Sequence, residues 1–147
     1  MKIAIANDHG GLSIKETVKQ ALLKLNCEII DMGTNTSDSV DYPDFALKAI
    51  KFYKQGGCDR IVLLCGTGIG MSLAANRVPG IRATLCHDHY TALMSREHND
   101  SNCLVIGSRT TGPAIAEEIV KTWIETSFAG SRHQARLDKI EKMNSLL

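Results

Sequence analysis

Arg60-Ile61-Val62-Leu63-Leu64-Cys65-Gly66-Thr67-Gly68-Ile69-Gly70 is the stretch whose reading decides the fold class. Its first half is an apolar run without polar alternation, as expected of a strand covered on both faces. Its second half is a glycine loop opening into a helix that runs to about Asn76, closed by Pro79-Gly80. Covered strand, loop and helix in direct succession form the unit of a parallel α/β sheet.

The same unit recurs on both sides. Upstream, Lys2 to Ala6 predicts a strand, followed by the turn Asp8-His9-Gly10-Gly11 and a helix from about Ser13. Ile14, Val18, Ala21, Leu22 and Leu25 recur there at helical spacing, and Ser13 and Glu16 are spaced as a capping box. Glu28 to Asp31 predicts a second strand, and Pro43 sits at the first turn of a helix that ends at Gly56-Gly57. Downstream, Arg82 to Cys86 and Cys103 to Ile106 predict the fourth and fifth strands, with helices near Tyr90 to Glu97 and from Gly112 to about Thr126. The expected fold is α/β: a three-layer α/β/α sandwich, Rossmann-like, with a five-stranded parallel sheet and an extra C-terminal helix. That helix, 132–147, carries Leu137, Ile140 and Met143 on one side with no strand after it, which suits docking on its own domain or, in a homodimer, at a subunit interface. The chain of 147 residues, 44% of them apolar, reads as a single domain.

Charge excludes several functions. Lys and Arg number 17 against 16 Asp and Glu, a formal charge of +1, so no general basic field exists to collect nucleic acid or an anionic membrane. The N-terminal apolar run breaks at Asn7-Asp8-His9, too early for a signal-peptide core, and no apolar stretch is long enough to span a bilayer. Cys27, Cys58, Cys65, Cys86 and Cys103 form no Cys-x-x-Cys pair, which suits a reducing cytoplasm.

Ligands of open α/β sheets bind beyond the carboxyl ends of the strands. Asp8 and His9, Cys65 to Gly70, His87 to His89 and Ser108-Arg109 all follow predicted strands, with His98 and Asn99 one helix away. Gly66, Gly68 and Gly70 allow backbone N–H groups to turn inward, and the next helix adds its positive end, so the loop favours an anion beside Cys65. The plain alternative makes Cys65 a small buried hydrophobe. A cysteine phosphatase would place arginine at position 71, which is Met71. A dinucleotide fold would want Gly-x-Gly-x-x-Gly, whereas the glycines here read Gly-x-Gly-x-Gly, although Asp88 lies about twenty positions on. A third use needs no cofactor: a thiolate removes a proton from carbon beside a carbonyl, while loop amides and the Thr67 hydroxyl hold the oxyanion.

On a helix, Arg132 and Arg136 are neighbours that can converge on one phosphate, with His133 further round; a solvated basic face is the plain alternative. His98 is either a surface histidine or an acid and base for opening a sugar ring. His87-Asp88-His89 contains metal-ligand types, but adjacent loop residues seldom point at one ion, so no metal is expected. Tyr42, between Asp41 and Pro43, forms a sugar wall or a helix start.

With these stretches, the chain resembles the ribose-5-phosphate isomerase type B group, which includes the galactose-6-phosphate and allose-6-phosphate isomerases. The resemblance covers nearly the whole chain. It rests further on Gly33-Thr34, Ala74-Ala75-Asn76, Gly80-Ile81-Arg82-Ala83, Ser95 to Asp100, Gly107-Ser108-Arg109 and Gly130 to Arg136. It implies that Cys65 shuttles a proton between C1 and C2 of a phosphorylated sugar, with Thr67 and the loop amides stabilising an enediolate. His98 would open the furanose, assisted by Asp8 or Thr67, with Tyr42 and Asn99 lining the sugar. His9, Arg109, Arg132 and Arg136 would hold the phosphate, His133 close by. The resemblance further implies a homodimer or a dimer of dimers, a pocket between subunits, and ribose 5-phosphate as substrate, with hexose 6-phosphates as alternatives. Ser131 departs from the family's usual second glycine. An NAD-dependent enzyme and a non-catalytic sugar-phosphate sensor are the readings from other classes.

Overall fold

The computed structural model describes residues 1–143; the expected end of the last helix, 144–147, lies outside the described residues. Five parallel strands, β1 (Lys2–Asn7), β2 (Glu28–Asp31), β3 (Arg60–Cys65), β4 (Ala83–Leu85) and β5 (Cys103–Gly107), stand in the order β2-β1-β3-β5-β4. The helices are α1 (Leu12–Lys24), α2 (Tyr42–Lys54), α3 (Ile69–Ala75), α4 (His89–Glu97), α5 (Pro113–Glu125) and α6 (Arg132–Met143).

Strand residues alternate between two apolar layers, because successive side chains leave a strand on opposite faces. Ile3, Ile5, Val62, Leu64, Leu104 and Ile106 pack with residues of α1, α4 and α5. Ala4, Ala6, Ile61, Leu63 and Val105 pack with α2 and α3. Each fully buried Ile or Leu contributes about 1.5–3 kcal/mol. Sheet and two helix layers are therefore mutually dependent.

Register decides where the site lies. Asn7 pairs with Leu64 and Cys65 with Gly107, so β1, β3 and β5 end level with one another. The connections run outward in opposite senses from β1 and β3, which makes the gap between them the switch point of the sheet.

The capping box expected at Ser13 is absent. A 3-10 turn, His9–Gly11, precedes α1, and the Asp8 carboxylate accepts the Gly11 N–H at 2.9 Å, so α1 is already running at Leu12. Ser13 falls inside the first turn. The reciprocal box occurs instead at Asp88 and Thr91, at the start of α4.

Gly11 tolerates no side chain, since a Cβ there would overlap the Leu64 carbonyl. Gly11→Ala should lower unfolding free energy by about 1–3 kcal/mol, the usual cost of overpacking. Ser13→Ala should stay within about 0.5 kcal/mol of wild type. Urea unfolding of both variants checks the contrast.

Candidate active site

Two polar clusters form, one at each edge of the sheet. The upper one stands at the carboxyl ends of β1, β3 and β5. Gly68 adopts φ +80°, a left-handed turn that aims its N–H at the Cys65 sulfur, 3.0 Å away. Cys65 is buried to 5% exposure and contributes to the apolar layer, so the plain reading of it holds in part. Its sulfur nevertheless accepts an amide, a geometry that supports negative charge there. Cys27 and Cys86 instead donate to the carbonyls of Leu25 and Thr84. Burial pushes Cys27, Cys58, Cys86 and Cys103 up, Cys86 to about 11, so these four remain protonated thiols.

Neighbouring loops close around the sulfur. A Cβ on Gly10 would lie 2.9 Å from the Gly66 nitrogen, and one on Gly66 would lie 3.3 Å from the Arg109 guanidinium carbon. Arg109 therefore lies across the glycine loop, fastened by its own N–H to the Gly66 carbonyl at 2.9 Å. The Thr67 hydroxyl accepts the Ile69 N–H at 3.4 Å. The Tyr42 ring packs on Gly70, where a Cβ would come within 2.7 Å of it. His9 accepts the Val40 N–H on Nδ1 at 3.2 Å, which leaves the ring proton on Nε2. Asp8, His9, Tyr42, Cys65, Gly66, Thr67, Gly68, Gly70 and Arg109 thus converge. Among the described residues, Arg109 has no carboxylate partner.

The lower cluster is reached by following α4 back down the sheet. Its nine residues span about 13 Å, and β5 then returns over about 16 Å. His98 and Asn99 end α4 just before β5 begins, at the edge opposite Cys65. His98 stacks on His133 of α6, centroids 4.1 Å apart and planes at 11°. Arg132 donates Nε–H to His133 Nε2 at 3.5 Å. Arg132 and Arg136, also on α6, take no carboxylate partner among the described residues. The expected sites of His98 and His133 are thus one stacked unit, a relation invisible in their spacing.

His87-Asp88-His89 is divided among other tasks. Asp88 caps α4 through Thr91, and His89 Nδ1 lies 2.9 Å from the Thr122 hydroxyl. A cleft of about 480 Å³ lies at the lower edge between α6 and the α3–β4 connection, lined by Val78, Ile81, Asn99, Leu137, Ile140 and Met143 among others. Cys65 does not line it, and its one carboxylate, Glu141, is paired with Arg82.

Likeness to known proteins agrees with this arrangement. The model of the ribose/galactose isomerase family matches residues 3–140. The chain belongs to that family. A putative sugar phosphate isomerase of Bacillus subtilis is 51% identical over 141 residues, 95% of each chain. Ribose-5-phosphate isomerase B of Escherichia coli is 42% identical, over 95% of this chain and 93% of that one. The structure of Clostridium thermocellum ribose-5-phosphate isomerase B superposes with a TM-score of 0.96 at 49% identity, covering 99% of both chains. In this member of the ribose/galactose isomerase family, sequence reasoning missed the contacts joining the loops. The Ser108 hydroxyl donates to the Gly10 carbonyl at 2.5 Å across 98 residues, a separation for which no local signal exists.

Burial holds His133 below the ordinary imidazole range, and His98, Arg132 and Arg136 lower it further against the opposing Glu97. The unfolded chain therefore takes up the proton first as acidity rises. Stability from this group is complete above about pH 6.5 and is lost as pH falls below it. Urea midpoints measured from pH 7.5 to 5 should decline, and a His133→Phe variant should decline less steeply.

Proposed function

We propose that the protein interconverts D-ribose 5-phosphate and D-ribulose 5-phosphate through an enediolate, with Cys65 as the base. The carrying observation is the Gly68 N–H aimed at the Cys65 sulfur beside Arg109 and Thr67. In the open-chain aldose, the thiolate takes the proton from C2 while the electron pair moves toward O1. Loop amides and the Thr67 hydroxyl stabilise that oxygen. The thiol returns its proton to C1, and the hydroxyl proton passes from O2 to O1, leaving a ketone at C2. No redox cofactor enters this balance.

Before that step, His98 opens the furanose by protonating the ring oxygen, with Asp8 or Thr67 assisting at the anomeric hydroxyl. Tyr42 and Asn99 line the sugar. His9, Arg109, Arg132 and Arg136 hold the phosphate, with His133 behind His98. The whole chain acts as one isomerase domain, and five unpaired thiols support a cytoplasmic setting. Among the described residues, no helix is long and apolar enough to cross a membrane.

One chain cannot bring both clusters to one sugar, because they stand at opposite edges of its own sheet. A second copy supplies the missing half, so the functional unit is a homodimer in which Cys65 of one subunit faces His98 and the α6 arginines of the other. Exposed apolar side chains on both sides support this pairing: Ile69 and Leu73 on α3 at 55% and 60%, and Ile140 and Met143 on α6 at 52% and 55%.

A coupled turnover assay across ribose, allose and galactose phosphates decides substrate. Ribose 5-phosphate should be fastest, and a faster hexose phosphate would move the assignment within the family. Cys65→Ala should lose about two to four orders of magnitude in turnover, whereas a sensor would bind as before. Mixing inactive Cys65→Ala and His98→Asn chains after unfolding and refolding should restore about a quarter of wild-type activity, since half the dimers then carry one intact site. No restoration would place both groups in one subunit.

A further inference from the structure

Two arginines and one aspartate at the lower edge have no part in the proposed chemistry. Asp100 Oδ1 lies 2.9 Å from Arg96, and Oδ2 lies 2.9 Å from Arg82. Arg82 also donates Nε–H to the Asp100 carbonyl at 2.9 Å, and its other arm reaches Glu141 of α6 at 3.5 Å. Arg96 is buried, donates to the Ser101 carbonyl at 2.6 Å, and lies over the Trp123 ring. Both carboxylate oxygens are thus engaged by different elements.

The backbone makes this choice of residue informative. Asp100 has φ +43°, and its N–H bonds the Arg96 carbonyl at 3.1 Å, closing α4 with a left-handed residue. Glycine is the usual occupant of that position, because it adopts the conformation without steric cost. Aspartate here offers a worse backbone and a better side chain. What it adds is a carboxylate that ties the helix end to Arg96 on α4 and, through Arg82, to α6.

We infer that Asp100, gripped by Arg82 and Arg96, is a positioning residue that fixes His98 and Asn99 for the sugar and ties them to the α6 helix that bears His133 and the phosphate-holding arginines. This rests on the reading that His98 acts on the substrate. Two peptide bonds separate His98 from Asp100, and the His98 ring is stacked on His133. A helix end free to turn would carry the ring out of alignment. Misplacement of about 1 Å is enough to slow catalysis a hundredfold.

Asp100→Gly separates the carboxylate from the backbone, since glycine suits the turn. It should unfold at or near the wild-type temperature yet turn over ribose 5-phosphate about ten- to a hundredfold more slowly. The His98 imidazole signal, assigned among the five histidines by its loss in His98→Asn, should shift or broaden. In a His98→Asn background, adding Asp100→Gly should change turnover by less than about twofold, because coupled sites are not additive. Asp100→Asn, which keeps the side-chain volume, serves if the glycine variant does not fold. An unchanged His98 signal, or full multiplication of the two losses in the double variant, would overturn the proposal. If His98→Asn alone were as fast as wild type, the catalytic reading of His98 would fall, and the imidazole signal in Asp100→Gly would still decide the clamp.

Discussion

The close approach of three loops above the sheet is the constraint on which the upper cluster depends. Gly11 touches the Leu64 backbone, Gly10 touches Gly66, and Gly107 leaves no room for a Cβ against Thr67. Ser108 donates its N–H to the Cys65 carbonyl at 2.8 Å and its hydroxyl to Gly10. The ends of β1, β3 and β5 are joined as one surface. Any side chain added at these glycines would lift a loop away from the sulfur, and the amide of Gly68 would lose its aim. The glycines therefore set distance as well as turn geometry.

The lower cluster obeys different physics. There the Ala129 N–H bonds the Glu97 carbonyl at 2.9 Å, and charge and ring stacking join the end of α4 to α6. His133 is held neutral by burial and by its cationic neighbours, so positive charge comes from Arg132 and Arg136. Arg60 and Arg96 lie 5.1 and 5.9 Å from the centre of the Trp123 ring, giving two like charges a shared aromatic surface at the base of the sheet. Asp100 offsets part of that charge and lends direction to the turn after His98.

The strands and the helices α1 to α5 were legible in the chain as local patterns, within a residue or two at their ends, as was the start of α6. The unbroken apolar run of Ile61 to Cys65 fits a covered strand, and the glycines after it fit a turn. Ser13 and Glu16 have the spacing of a capping box, but Asp8 and the 3-10 turn start α1 earlier, and the box at Asp88 uses Thr91 in place of the usual acidic partner. Candidate residues for the site could be named too, by type and by motif. Their grouping was not: His98 and His133 stand 35 positions apart, and only α6 folding back on the end of α4 stacks them.

By itself, then, the sequence determined the element types and the two-sided burial of the sheet, which follow from composition and spacing within short windows, while its motifs carried the resemblance to the isomerase family. Only the tertiary structure decided strand order, the level ending of β1, β3 and β5, and the separation of the polar residues between two edges. Those depend on contacts between segments distant in the chain, where hydrogen bonds and packing select one register from several that local preference leaves equivalent. The same reason hid Arg82, Arg96 and Asp100, whose value lies wholly in meeting one another.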